Sequence, residues 1–300
     1  MSGIKNITVI GASGNVGVPL VKALQTAGFQ VTALVRESSS STFPAGVSVK
    51  RVNYESVGSL KTALQGQDAV VSTASAALLS RQPLIIDAAI AAGVKRFIPS
   101  EYGINTRTVE HAGLKAMLEA KIKTVDYLIE KSKETPSFSW TGLSTGLFFD
   151  WGLLHTFIGF NKSAKSARIV DSGSEPFSTS NLPFIGKAVA AILANPEKTA
   201  NKYITIASFT TTQNEILKFI EEESGEKWSR QSVTSAELNK AGHEKLSQGD
   251  YMALADFLLA SNFEDGGNHA VNPEDTGNDL LGIGVEDPKV TVKAWLDGKL

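Results

Sequence analysis

The sequence predicts an α/β fold: a doubly wound parallel sheet followed by a smaller α+β C-terminal domain. Three observations predict it. Short apolar runs alternate with segments whose apolar residues recur at helical spacing, the pattern of a parallel sheet covered on both faces. A glycine-rich turn, residues 11–17, follows the first apolar run directly. After about residue 148 the alternation loosens into aromatic and then Gly/Ser-rich polar sequence.

Residues 4–10 read as a buried strand halted by Gly11. Residues 15–27 place Val16, Leu20, Val21 and Leu24 at helical spacing, and Gly28 supplies the stop. Residues 30–35 and 47–52 read as strands, 56–65 as a helix and 69–73 as the fourth strand. A helix over 82–92 is stopped by Gly93, and a fifth strand follows at 96–99. A long helix is expected over 112–133 and a sixth strand at 139–143. Helices follow at 183–194 and 213–223, the second after a Thr-Thr cap, with a strand between them at 203–207. Beyond 224 the elements read as short and mixed, and 264–278, rich in Gly, Asn and Asp, reads as a loop. A boundary is expected near residue 150. Residues 1–150 form the sheet domain, its sheet completed by about 181–207, and 151–300 form the second domain.

Composition removes several classes. The 300 residues contain no cysteine, which excludes disulfide scaffolds, thiolate zinc sites, iron–sulfur clusters and cysteine nucleophiles. With 29 Lys+Arg against 31 Asp+Glu there is no overall basic field for nucleic acid. No apolar run approaches the ~18 residues of a membrane span. The polar lead over 1–6 and the short run before Gly11 do not make a signal-peptide core, and the final Asp-Gly-Lys-Leu matches no lipidation signal. A soluble cytoplasmic protein is expected, as monomer or homodimer. His111, His243 and His269 show no metal-ligand spacing, so no metal is expected.

The turn Gly11-Ala12-Ser13-Gly14-Asn15-Val16-Gly17 lies between a strand and a helix. Backbone N–H groups at a helix N-terminus hold phosphates. Gly11 permits the tight turn, Gly14 close approach of a pyrophosphate, and Gly17 close helix–strand packing. Gly11, Ser13, Gly14, Asn15, Val16 and Gly17 are therefore expected to bind a dinucleotide. The second strand ends in Leu34-Val35-Arg36 where an NAD-binding protein would carry an acid. Arg36 can grip a 2′-phosphate with its planar fork, with donors from Ser38 and Ser39, so NADPH is expected. Glu37 next to it is also able to serve a ribose hydroxyl. Ligands of open α/β sheets lie beyond the carboxyl ends of the strands. Ser72 and Thr73 after the fourth strand and Ser100 after the fifth are expected at the cofactor.

Several motifs resemble one family. Gly-Ala-Ser-Gly-Asn-Val-Gly, Leu-Val-Arg-Glu-Ser, Arg-Phe-Ile-Pro-Ser-Glu-Tyr-Gly, Thr-Gly-Leu-Ser-Thr-Gly-Leu-Phe-Phe-Asp-Trp-Gly and Asn-Leu-Pro-Phe-Ile-Gly-Lys-Ala-Val-Ala occur in order over about residues 4–223. They resemble the NmrA-like, isoflavone-reductase-like atypical short-chain dehydrogenases/reductases, in the style of fungal members. The resemblance implies a Rossmann domain with a smaller substrate domain, NADPH as hydride donor, and a catalytic lysine in the helix after Pro-Ser-Glu. It also covers regulators that bind the dinucleotide without turnover.

On the 112–133 helix, Leu114, Met117, Leu118, Lys121, Val125 and Leu128 form one stripe. Lys121 stands there in place of an apolar residue. A desolvated lysine becomes a usable acid or base, and the resemblance assigns Lys121 both the proton and a contact to the cofactor, with Lys123 the other possibility. Tyr127 and Lys131 have Tyr-x-x-x-Lys spacing, but they share a row with Glu119 and Lys123 that reads as a solvated face. Tyr102, Phe148, Phe149, Trp151 and His155 are expected to wall a pocket for a small aromatic or apolar substrate. Asp150 can touch a ligand or hold a helix N-terminus. The expected activity is NADPH-dependent reduction of a small aromatic or enone/carbonyl metabolite. The other reading is an NADP(H)-binding redox sensor, and a nucleotide-sugar epimerase would need Tyr127 and Lys131 active.

Overall fold

The computed structural model describes residues 3–300; residues 1 and 2 of the polar lead lie outside the described residues. The first half runs β1 (Asn6–Ile10), α1 (Gly17–Thr26), β2 (Gln30–Arg36), β3 (Ser48–Val52), α2 (Val57–Leu64), β4 (Ala69–Ser72), α3 (Ala76–Leu79), α4 (Gln82–Ala91), β5 (Arg96–Ile98), α5 (Ala112–Glu134) and β6 (Ser139–Ser144). The second runs β7 (Leu147–Phe148), α6 (Phe149–Leu154), β8 (Phe160–Asn161), β9 (Ser166–Val170), β10 (Phe177–Ser180), α7 (Leu182–Ala194), α8 (Pro196–Thr199), β11 (Lys202–Thr205), β12 (Phe209–Thr211), α9 (Gln213–Ser224), β13 (Ser229–Val233), α10 (Ser235–Ser247), α11 (Ala253–Phe263), α12 (Asn278–Leu281) and α13 (Pro288–Leu296).

Seven parallel strands form one sheet in the order β11-β6-β5-β4-β1-β2-β3. Ile7 pairs with Val31 on one side and Ala69 on the other. The strand order reverses between β1 and β4, which opens a crevice at their carboxyl ends. Strand residues alternate between two cores, as a sheet buried on both faces requires. Val9 and Val71 pack under α1 and α7 with Leu20, Phe184 and Ile185. Ile10 and Val70 pack under α2, α4 and α5 with Leu60, Ile86 and Val125. Buried Arg96 donates to the Ser139, Thr141 and Thr199 hydroxyls at 2.9–3.0 Å, tying β5 to β6 and α8.

The rest of the chain builds two three-stranded sheets, β12-β10-β7 and β13-β9-β8. These share a third core containing Phe149, Phe160, Phe177, Trp228, Phe263 and Trp295. A small fourth core joins α5 to α11 through Leu114, Leu118 and Phe257. The segment beyond 224 is more regular than its sequence suggests. It contains the 13-residue α10, started by a Thr234–Glu237 capping box, and the 11-residue α11. Both glycines beside Phe257 are space-limited: a Cβ on Gly113 or Gly242 would come within 2.7 or 2.6 Å of its ring.

Candidate functional site

The glycine turn holds the shape that the sequence implies. Gly11 has φ +76°, and the Gly14 amide donates to its carbonyl at 2.9 Å. A Cβ on Gly17 would lie 2.1 Å from the Gly11 carbonyl oxygen, so helix and turn meet only through glycine. The N-cap of α1 is Val16, which offers no side-chain oxygen to the first-turn N–H groups. Val18 already donates to the Gly14 carbonyl at 3.0 Å and Pro19 has no N–H, so Gly17 is the first-turn donor left for an anion, which the helix dipole also favours.

From this turn a cleft of about 310 Å³ runs between the ends of β2 and β4. Its lining includes Gly11, Ser13, Gly14, Arg36, Ser39 and Thr73. Exposed Arg36 lies in the wall, whereas Glu37 does not. Ser39, Ser41 and Ser13 form a chain of hydroxyls, 3.2 and 3.3 Å apart, and the Arg51 guanidinium donates to the Ser39 carbonyl at 3.2 Å. This group of hydroxyls beside a guanidinium suits a phosphate monoester. Ser41 and Tyr54, not among the residues expected from the sequence, also line the cleft. The serine run after Arg36 carried a signal for Ser41, but Tyr54 had none. Its hydroxyl donates to the Leu34 carbonyl at 2.8 Å beneath Arg36. Burial pushes this phenol's pKa up, against the pull of Arg36.

Thr73 closes the far wall, its amide and hydroxyl both donating to the Ile10 carbonyl at 2.8 Å. Ser72 is fully buried and shares the face of Val70, since side chains alternate along a strand. The structure therefore takes Ser72 out of the cleft surface and leaves Thr73 there. Ser100 is also buried and binds β4 to β5, donating to the Ala74 carbonyl at 3.0 Å.

Lys121 is half-buried, and its Nζ donates to the Glu101 carbonyl at 2.8 Å. Desolvation lowers its pKa, and the Glu101 carboxylate opposes that fall. The lysine is thus held at the end of β5. Lys123 is on the solvent face, paired with Glu119 at 2.8 Å. Tyr127 is on a different side of α5, where its hydroxyl donates to Asp87 at 2.6 Å, and Lys131 pairs with Glu134. Neither Tyr127 nor Lys131 lies along the cleft.

The aromatic residues disperse. Phe149 is fully buried and packs edge-to-face on Phe209, so it belongs to the core rather than to a pocket wall. Tyr102 is buried in the first core, and half-buried Phe148 packs against that core. Trp151 contacts His155 and Phe157 with ring centroids 4.6 and 5.6 Å apart. Asp150 accepts from the Leu182 amide at 3.0 Å and so holds the N-terminus of α7. A cleft of about 390 Å³ lies instead at the ends of β6 and β11. Its walls come from the 104–110 segment, Asn262 and the 268–275 loop, with Ser144 and Ile206 below. The loop was legible in the sequence; its position over the sheet was not. Among the described residues no group of three His, Asp or Glu is placed to hold a metal, and no helix is long and apolar enough to cross a membrane.

Fold and cleft together define a Rossmann-type α/β protein with a smaller C-terminal domain. The chain belongs to the NmrA-like family, whose profile matches residues 4–254. It is 34% identical over 281 residues to oxidoreductase poxI of Penicillium oxalicum, covering 92% of this chain and 89% of that one. It is 34% identical over 296 residues to oxidoreductase aprR of Aspergillus flavus, covering 97% and 99%. In fold it is similar to the leucoanthocyanidin reductase–NADPH complex from Vitis vinifera, with a TM-score of 0.82 at 19% identity and coverage of 97% and 99%. The family resemblance read from the motifs is borne out.

Proposed function

We propose that this chain is an NADPH-dependent oxidoreductase that reduces a small aromatic or enone/carbonyl substrate, with Lys121 as proton donor. Its relatives at 34% identity are named oxidoreductases, and the reductase of similar fold is a complex with NADPH. The residues present fit that cofactor. The glycine turn, residues 11–14, with the Gly17 N–H at the start of α1 would hold the pyrophosphate, and Arg36 with Ser13, Ser39 and Ser41 the 2′-phosphate. When bound, NADPH supplies a hydride. Lys121 then has to give a proton to the anion left on the substrate. The observation behind this role is the bond from Nζ to the Glu101 carbonyl, which holds at the end of β5 an ammonium whose proton burial loosens; Lys121 itself is not in the lining of either cleft. The cleft between the 104–110 segment and the 268–275 loop would take the substrate, with residues 151–300 forming most of its domain.

The test is to titrate NADPH and NADH by fluorescence, then follow NADPH consumption with enones, quinones, aromatic aldehydes and isoflavones. Tight NADPH binding with turnover of one class supports the reading. NADPH bound tightly and consumed with none of them favours the sensor.

A further inference from the structure

We propose that Glu101 is a positioning residue for Lys121: its carboxylate, clamped by two hydroxyls, fixes the carbonyl that holds the lysine and keeps the ammonium charged. The proposal rests on the oxidoreductase reading only for the use made of that charge.

Glu101 is 1% exposed. A carboxylate so deeply buried is costly unless it is held and compensated. Its Oε2 accepts from the Thr106 hydroxyl at 2.5 Å and the Tyr203 hydroxyl at 2.7 Å. Its Oε1 is buried with no hydrogen-bond partner. A buried polar atom left without a partner calls for a reason. The same residue's carbonyl accepts the Lys121 ammonium at 2.8 Å. One residue therefore offers Lys121 a hydrogen bond through its carbonyl and, beyond ion-pair distance, the field of its carboxylate. The clamp is made by tertiary structure, because Tyr203 comes from β11 at the sheet edge. Burial and the Glu101 charge both push the Tyr203 phenol's pKa up, so it remains a donor.

The charges on the elements packed against α5 are engaged elsewhere. Asp87 of α4 accepts from Tyr127, and Asp256 of α11 pairs with Lys245. Strand β6 carries no charged residue. On α5 itself Glu119 pairs with Lys123, and Asp126 pairs with Arg107. The Glu101 carboxylate opposes the fall that burial causes in the Lys121 pKa.

The test is a titration of 13Cε-lysine by NMR on the full chain without cofactor, with the Lys121 signal assigned by Lys121→Arg. Glu101→Gln removes the charge and is expected to lower the Lys121 midpoint by about one pH unit. Tyr203→Phe keeps both charges and is expected to move it by less than half as much. If the Gln variant does not fold, Glu101→Met supplies the same neutral side-chain length with an apolar end, and the same fall is expected. A midpoint unmoved by loss of the charge overturns the proposal and leaves Glu101 as a structural tie between β5 and β11. The titration needs no turnover. A fall in the midpoint together with a wild type that consumes no NADPH would count against the oxidoreductase reading alone.

Discussion

Gly11 and Thr73 approach so closely that a Cβ on Gly11 would lie 2.4 Å from the Thr73 carbonyl oxygen. The turn after β1 and the end of β4 are thereby locked together as the two sides of one cleft. Gly11→Ala meets both this contact and a left-handed backbone, φ +76°. Left-handed strain of ~1–2 kcal/mol plus an overpacking cost of ~1–3 kcal/mol predicts a loss of about 3 kcal/mol in denaturant unfolding. A variant as stable as wild type would contradict the close approach.

Arg36 lines the cleft and Glu37 does not. Arg36→Ala should weaken NADPH binding about 10–100-fold, the size of a lost charged hydrogen bond. NADH has no 2′-phosphate, so its affinity should stay near that of wild type. Equal losses for the two nucleotides, measured by calorimetry, would remove the 2′-phosphate from Arg36.

Tyr127 lies on the α4 side of α5, bonded to Asp87. Burial, the hydrogen bond to Asp87 and the Asp87 charge push its pKa up to about 12, and it faces α4 rather than the cleft. Tyr127→Phe should leave turnover unchanged and cost less than about 1 kcal/mol, as exposed polar pairs do. A collapse of turnover with intact folding would revive the epimerase-type reading.

Lys121 must carry its proton to donate it. Its pKa is lowered by burial, so the protonated fraction is full at low pH and is lost as pH rises through that lowered value. The profile of kcat/KM should therefore fall on its alkaline side below the ordinary lysine range near pH ~10.4. An alkaline limb at or above that range would detach the rate from Lys121.

Much of the architecture is legible because strands and helices of a doubly wound sheet bury contiguous local patterns. Val9, Val71 and Leu20 each sit in a run whose periodicity names its partner surface. The glycine turn and Arg36 are local too. Lys121 stood out because a charge broke an apolar stripe. Helix α11, Ala-Leu-Ala-Asp-Phe-Leu-Leu-Ala-Ser-Asn-Phe, lacked such a signal: it is buried around most of its circumference and shows no clean amphipathic period. Phe149 and Phe209 pair across 60 positions of chain, and Tyr203 reaches Glu101 from β11. Contacts of that kind depend on which strands become neighbours, and no local pattern encodes them.

Single-turnover NADPH oxidation by wild type and Lys121→Ala, with the best substrate of the panel and NADPH saturating for both, decides whether Lys121 gives the proton. General acid catalysis contributes about 10²–10⁴-fold, so the saturated variant should lose at least about a hundredfold in rate while still binding NADPH. Equal rates in the two proteins would contradict the account and take the proton from Lys121.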